Sequence, residues 1–367
     1  MERTSYITSL KYSPGLAKEF SLFGTNVAKK GRVDYLVSKS YGWLLKKANA
    51  EIHYLTKSDK VRDAIVDVLL MRWRIVEPIR RIFQKHKPDF ILFYNSHPAN
   101  SIIARIAAEE MPNGTRAVYL HEPYVPDKKS YGRLRTVYII LNEWLQTRAL
   151  KYINCVIVPS PYAKKLFGIR YPKYKGETKV VPILLSDKRL AEKRPRRYIS
   201  LIGNLNESRG LEEFIALINY SANRGLSWQF KLVTRAKITK KMRKLSIYGN
   251  AILSVVNKRN ISDAEIAEAV AESYAVFLPH KQATQSGNIP VCFMQGTPII
   301  ARNIPGLSQH IRHKYNGYLL PMNFMESDTS EAVHFIKENI EQLSYNARRD
   351  YEKIFDERNW QKYYSWL

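Results

Sequence analysis

The sequence predicts an α/β protein with parallel sheets, divided into two domains. Three observations carry that expectation. Apolar runs of strand length alternate with helix-like segments through the first half, the pattern of βαβ units. The length, 367 residues, is enough for about two domains. After a charged, proline-containing stretch at 187–197 the pattern restarts with Tyr198-Ile199-Ser200-Leu201-Ile202-Gly203, a strand ending in glycine. The expected boundaries are 1–186, a linker at 187–197, a second domain at 198–345 and a helical tail at 346–367.

In the first half, residues 4–10 read as a strand, Ser13-Pro14-Gly15 as a turn and 16–27 as a helix. Further strands are expected at 33–37, 51–55, 90–94, 117–120 and 156–158, with the longest helix-like segment at 57–85. Open parallel sheets bind ligands beyond the carboxyl ends of their strands, which singles out three loops. Ser13-Pro14-Gly15 either admits an acceptor to the backbone or is a plain tight turn. Asn95-Ser96-His97-Pro98 holds a histidine that is either a turn residue or a ligand contact. His121-Glu122-Pro123 places a histidine and a carboxylate at a strand end and is the strongest of the three. Ser13, Pro14, Gly15, Asn95, His97 and Glu122 are the acceptor-side candidates.

In the second half, strands are expected at 230–234 and 252–256. A helix at 263–274 should be capped by Ser262, with Glu265 three positions on. The stretch at 275–306 is the most organised. A short apolar strand ends at Pro279. A polar loop, Gln282 to Asn288, leads into a helix at 289–294 closed by Gly296. A second strand at 298–301 precedes a turn at Pro305-Gly306. Loop amides and a helix start aimed at one spot suit an anion, and Gly287 lets a backbone come close.

Lys and Arg total 59 against 33 Asp and Glu, a net charge of +26. Residues 1–190 hold 34 basic and 16 acidic side chains, so the surplus is concentrated there. Such a half suits a polyanion, whether nucleic acid, an anionic membrane surface or phosphate-bearing substrates. No apolar run approaches the ~18 residues of a membrane span. The N-terminus has no signal-peptide pattern, so a cytoplasmic protein is expected, in contact with the membrane's cytoplasmic face at most. Cys155 and Cys292 lie in apolar patterns and read as buried free thiols.

Several of these segments resemble retaining GT-B glycosyltransferases, in particular glycosyltransferase family 4. Gly296-Thr297-Pro298-Ile299-Ile300-Ala301 resembles the family's Gly-x-Pro-Val-Ile-Ala, and Gln285-Ser286-Gly287-Asn288-Ile289-Pro290 resembles a Ser-Gly-x-x-Pro form of its donor loop. Cys155-Val156-Ile157-Val158-Pro159-Ser160, Val180-Val181-Pro182 and Asn316-Gly317-Tyr318-Leu319-Leu320-Pro321 resemble further landmarks. There are departures. The family's paired glutamates fall on Ala283 and Val291. Asn204 stands where an arginine is usual, and Arg209 stands where a lysine is usual.

The resemblance implies two Rossmann-like domains facing across a cleft (GT-B), and a tail helix returning to the first domain. It implies a nucleotide-sugar donor, a glycan or lipid-linked acceptor, no metal or other cofactor, and retention of anomeric configuration. On it, His121 orients the sugar and Arg209 binds the diphosphate. Gly203, Asn204, Thr284, Gln285, Ser286, Gly287, Asn288 and Ile289 line the donor site, and the backbone at Val256 and Asn257 meets the base. Charge stabilisation of the leaving diphosphate is the main catalytic task. Two rival readings remain. A basic nucleic-acid-binding protein has charge in its favour but no recognition motif. The other is a degenerate, inactive copy of the transferase.

Overall fold

The computed structural model describes residues 4–10, 17–45, 50–56, 76–123, 133–203, 207–236, 252–258 and 261–367. The chain forms two compact units, 1–182 with 360–367, and 183–359. Each is built on a wholly parallel sheet, as the alternation of apolar runs requires.

The first unit has seven strands: β1 (Thr4–Ser9), β2 (Arg32–Ser38), β3 (Ile52–Thr56), β4 (Phe90–Tyr94), β5 (Thr115–Tyr119), β6 (Cys155–Val158) and β7 (Glu177–Val180). Their order is β3-β2-β1-β4-β5-β6-β7. The central strands are buried on both faces, which is why β4, Phe-Ile-Leu-Phe-Tyr, is apolar at every position. Ser160 caps the helix Pro161–Arg170, its hydroxyl accepting from Ala163 N at 3.0 Å, with proline at the first helical position. Trp360 and Tyr364 stack at 4.0 Å between centroids, and both meet Phe23 edge-on. The last eight residues therefore complete the first unit's core rather than the second's.

The second unit has six strands: β8 (Tyr198–Ile202), β9 (Gln229–Thr234), β10 (Ile252–Asn257), β11 (Ser273–Leu278), β12 (Ile299–Arg302) and β13 (Gly317–Leu320), in the order β10-β9-β8-β11-β12-β13. The capping box at Ser262 and Glu265 forms on both sides, at 3.2 and 2.9 Å. Its helix is shorter than the sequence suggests: it ends at Ala271, and Tyr274 lies in β11. The boundary is set by Ser273. Its buried hydroxyl meets Ser200 Oγ at 2.6 Å and donates to Ala269 O, a tertiary pairing that propensity does not encode. Pro305-Gly306 opens a one-turn helix, Pro305–Ser308, rather than a bare turn. The tail is also more broken than expected. The helix Ile340–Asp350 passes into a π-turn at Tyr351–Phe355, then a 3-10 turn, then Trp360–Tyr364. Both cysteines are buried free thiols.

Arg196, in the charged stretch at 187–197, is taken up by the second unit's own main chain and side chains. Its guanidinium donates to Ser273 O, Thr297 Oγ1, Gly296 O and Ser344 Oγ at 2.6–3.2 Å. Burial pushes its pKa down to about 10. Arg196→Ala removes a donor from two main-chain carbonyls at once, so a loss of about 2–3 kcal/mol in unfolding free energy is expected in urea titrations.

Candidate active site

In both sheets the winding reverses beside the first strand, leaving a crevice at the carboxyl ends there. In the second unit the reversal lies between β8 and β11. The loops leaving these strands, Gly203 to Gly210 and Pro279 to Gly287, are tied together at several points. Asn288 Nδ2 donates to Ile202 O at 2.8 Å. Lys281 N donates to Ser208 O at 2.9 Å. Gly210 is left-handed, φ 79°, and a Cβ there would fall 2.3 Å from the Pro279 ring. A glycine is therefore required on both counts.

Arg209 ends a 3-10 turn, Glu207–Arg209, immediately before Gly210. It is half-buried, and no described carboxylate pairs with it. It lies close enough to His280 to act on that ring's titration. The polar loop is held from behind. Gln309 Nε2 donates to Thr284 O at 3.2 Å and to Gly306 O at 3.1 Å, and Gly306 seats so closely on Ala283 that a Cβ would meet its carbonyl. Thr284 and Ser286 are buried. Ser286 O accepts from Ile289 N at 3.1 Å, starting the helix Asn288–Met294. At Gly287, by contrast, a Cβ would meet nothing within 4 Å. The structure thus brings Gly203, Arg209, Thr284, Gln285, Ser286, Gly287, Asn288 and Ile289 to one edge of the second sheet.

Val256 and Asn257 stand apart from that group, on the edge strand β10. The Asn257 side chain is occupied with Thr234 O and Ala236 O, at 2.9 and 2.7 Å. Asn204 lies outside the described residues, as do Ser13, Pro14 and Gly15.

In the first unit the reversal lies between β1 and β4. Asn95 is left-handed, φ 79°, and its Oδ1 accepts from Ser96 N. His97 Nδ1 accepts from Ala99 N at 3.2 Å, and its carbonyl accepts from Asn100 N, so it builds the turn into the helix Asn100–Glu110. His121 is buried against the rings of Tyr119 and Tyr94, with centroids 4.4 and 5.5 Å away. Its Nε2 faces Glu19 Oε2 at 3.6 Å. Glu122 is exposed. Burial pushes Glu19 up to about 7, an effect partly offset by the phenols of Tyr94 and Tyr119. Burial also pushes His121 down to about 3. Both groups are thereby disposed to be neutral.

Sequence reasoning missed Glu19 and His280. Glu19 sits in the helix Ala17–Val27, where one acid in an amphipathic pattern gives no signal. His280 looks like the residue after a strand-ending proline.

Among the described residues one cluster has metal-ligand spacing, Asp34, Glu51 and His86. Arg32 already bonds to both carboxylates, at 2.8 and 2.9 Å, and Asp34 lies near the amino end of β2, away from the loops above. A cavity of about 270 Å³ flanks the helix Leu211–Asn223, but Glu212, Glu213 and Glu326 line it, the wrong charge for a phosphate.

No protein-family model and no curated protein matches the chain. Solved structures do. Sucrose-phosphate synthase from Thermosynechococcus elongatus superimposes with a TM-score of 0.72 at 14% identity, over 100% of this chain and 99% of that one. Anabaena HepE, solved with UDP, gives 0.69 at 13%, over 100% of both chains. The pneumococcal O-GlcNAc transferase GtfA, solved with UDP and GlcNAc, gives 0.65 at 11%, over 98% of both. The fold is that of the GT-B glycosyltransferases, two Rossmann-like parallel-sheet domains.

The Glu19 carboxyl has a testable consequence for stability. Its folded pKa lies above its unfolded value, so its contribution is complete at low pH and is lost as pH rises from about 4.5 through 7. His121 acts oppositely, costing stability as pH falls below its ordinary value. Glu19→Gln removes only the first effect. Relative to wild type, the variant should gain on the order of 2–3 kcal/mol between pH 5 and pH 8 in urea titrations.

Proposed function

We propose that this chain is a glycosyltransferase that moves a sugar from a nucleotide-sugar donor to a glycan or lipid-linked acceptor. The observation that carries the reading is the meeting of Arg209, without a described carboxylate partner, and the open Gly287 turn at the β8–β11 switch point. Neighbours of the same fold that were solved with UDP support it.

Breaking the bond between an anomeric carbon and a diphosphate leaves charge on the departing phosphates. Arg209 and the main-chain amides from Gln285 to Asn288 are fixed donors that can take up that charge without a divalent ion. The Gln309 bond to Thr284 O and the close packing of Gly306 on Ala283 support this backbone from behind. Retention would follow if the acceptor attacks on the face the phosphate leaves, with the phosphate assisting deprotonation. His121 would orient the sugar. With Ala283 and Val291 in place of carboxylates, the sugar's hydroxyls fall to Thr284, Gln285, Ser286, Asn288 and main-chain groups.

The basic first half suits an acceptor carried on an anionic membrane, as in cell-surface polysaccharide or glycolipid synthesis. Val137, Ile140 and Trp144 are exposed at helical spacing on the helix Arg133–Ala149, with the Arg148 guanidinium 3.9 Å over the Trp144 ring. On the helix Val76–His86, Arg80 pairs with Glu109 and Glu110 and Arg81 with Glu77, so these bases are partly neutralised. No helix among the described residues is long and apolar enough to cross a membrane.

A thermal-shift screen over nucleoside diphosphates and sugar nucleotides tests the reading. A ligand at a hundred times its Kd should stabilise the chain by about 2.7 kcal/mol. Gly287→Leu fits the backbone, φ −62°, and meets open space, so stability should stay within about 0.5 kcal/mol of wild type. The ligand-induced shift should nevertheless disappear, as it should in Arg209→Ala. Steep loss of nucleic-acid affinity with salt, and no nucleotide response, would favour the rival reading.

A further inference from the structure

His280 has no part in the reading above, and its surroundings are unusual. It follows Pro279 at the carboxyl end of β11, beside the switch point. It is only 3% exposed, and its Nδ1 bonds to no described residue. Native structures rarely leave a buried polar atom unanswered, and one at the mouth of a site points to a missing ligand. The charged groups facing the ring are Arg209 and Arg302; burial first, and then these two cations, hold its pKa down at about 3. Arg302 is already answered by Glu213 at 2.9 Å, and it also donates to Pro279 O and Met322 O. Lys281 Nζ approaches the same glutamate at 3.9 Å. Arg209 has no such counterion among the described residues. A neutral ring therefore stands beside an unanswered guanidinium, and the arrangement is one anion short.

We propose that His280 is a ligand of the donor diphosphate, donating to a phosphate oxygen beside Arg209 and taking up a proton from solvent as the anion arrives. The inference rests on the nucleotide-sugar reading of the same edge. An anion next to Arg209 reverses the field that keeps the ring neutral, and the imidazolium that forms makes a charge-assisted bond to it. Neither neighbouring cation can replace this group. Arg302 is committed to Glu213, and Arg209 reaches the anion from the other loop.

Isothermal titration calorimetry of the full chain tests this. UDP and inorganic pyrophosphate are titrated at pH 6.5 in two buffers of different ionisation enthalpy, into wild type, His280→Gln and His280→Asn. Wild type should take up at least about half a proton more per ligand than either variant, since an unperturbed histidine titrates near this pH. Both variants should bind both ligands at least tenfold more weakly. Equal proton uptake in all three proteins overturns the role of His280 and leaves the nucleotide site standing. No binding by wild type of pyrophosphate or of any nucleoside diphosphate overturns both. If neither variant folds, wild type with ¹³C-labelled histidine decides. One of the eight imidazoles should move from the neutral to the protonated position on adding pyrophosphate, and no such movement overturns the proposal.

Discussion

The candidate site at the edge of the second unit depends on a glycine seated against a proline ring. Adjacent parallel strands lie about 4.8 Å apart, so chains leaving β8 and β11 at the same edge emerge side by side. Proximity alone does not fix their turns. Gly210 does so, because its left-handed backbone and missing Cβ let the end of the first loop rest on Pro279. The bond from Lys281 N to Ser208 O then locks the register between the loops. Arg209 and His280 each flank that contact. Their spacing is therefore set by main chain, which is stiffer than any pair of long side chains.

The two sheets share one winding but carry opposite chemistry at their switch points. In the second unit the edge gathers guanidiniums, main-chain amides and an open glycine, a field that favours negative charge. In the first unit the edge closes around Glu19, His121, Tyr94 and Tyr119, all buried, where burial drives both titratable partners toward neutrality. The difference follows from burial: an ionised carboxylate at Glu19 would carry a desolvation penalty that a protonated one avoids.

The two parallel sheets were legible because strands buried on both faces are apolar throughout, as in Phe90–Tyr94 and Cys155–Val158. The strand Glu177–Val180 was not legible. It is an edge strand of Glu-Thr-Lys-Val, with one flank in solvent and no apolar run to mark it. Caps read well where the signal is local, as at Ser262 and Gly296. Boundaries fixed by distant partners did not, as at Ser273. The same distinction divides the site. Arg209 and the Ser286-Gly287 turn sit in local patterns that sequence displays. His280 and Glu19 matter only through residues far along the chain, Arg209 and Arg302 for one and His121 for the other. No window of sequence contains both halves of either relation.

The missing glutamates are better understood from the loop than from the sequence. Position 283 lies against Gly306, with its carbonyl where a Cβ of that glycine would fall, and position 284 gives its carbonyl to Gln309. Packing from behind therefore holds this backbone, a job that needs no carboxylate. What a carboxylate would add is a strong, directional acceptor for sugar hydroxyls. Its removal also takes negative charge away from an edge whose cation, Arg209, has no counterion among the described residues. With Ala283 and Val291 at these positions, the described edge carries less negative charge. Under the proposed reading, its attraction for a diphosphate rests on Arg209, the amides and the ring at 280. On that reading the site keeps its hold on phosphate through the amides and the guanidinium and gives up a directional acceptor for sugar hydroxyls.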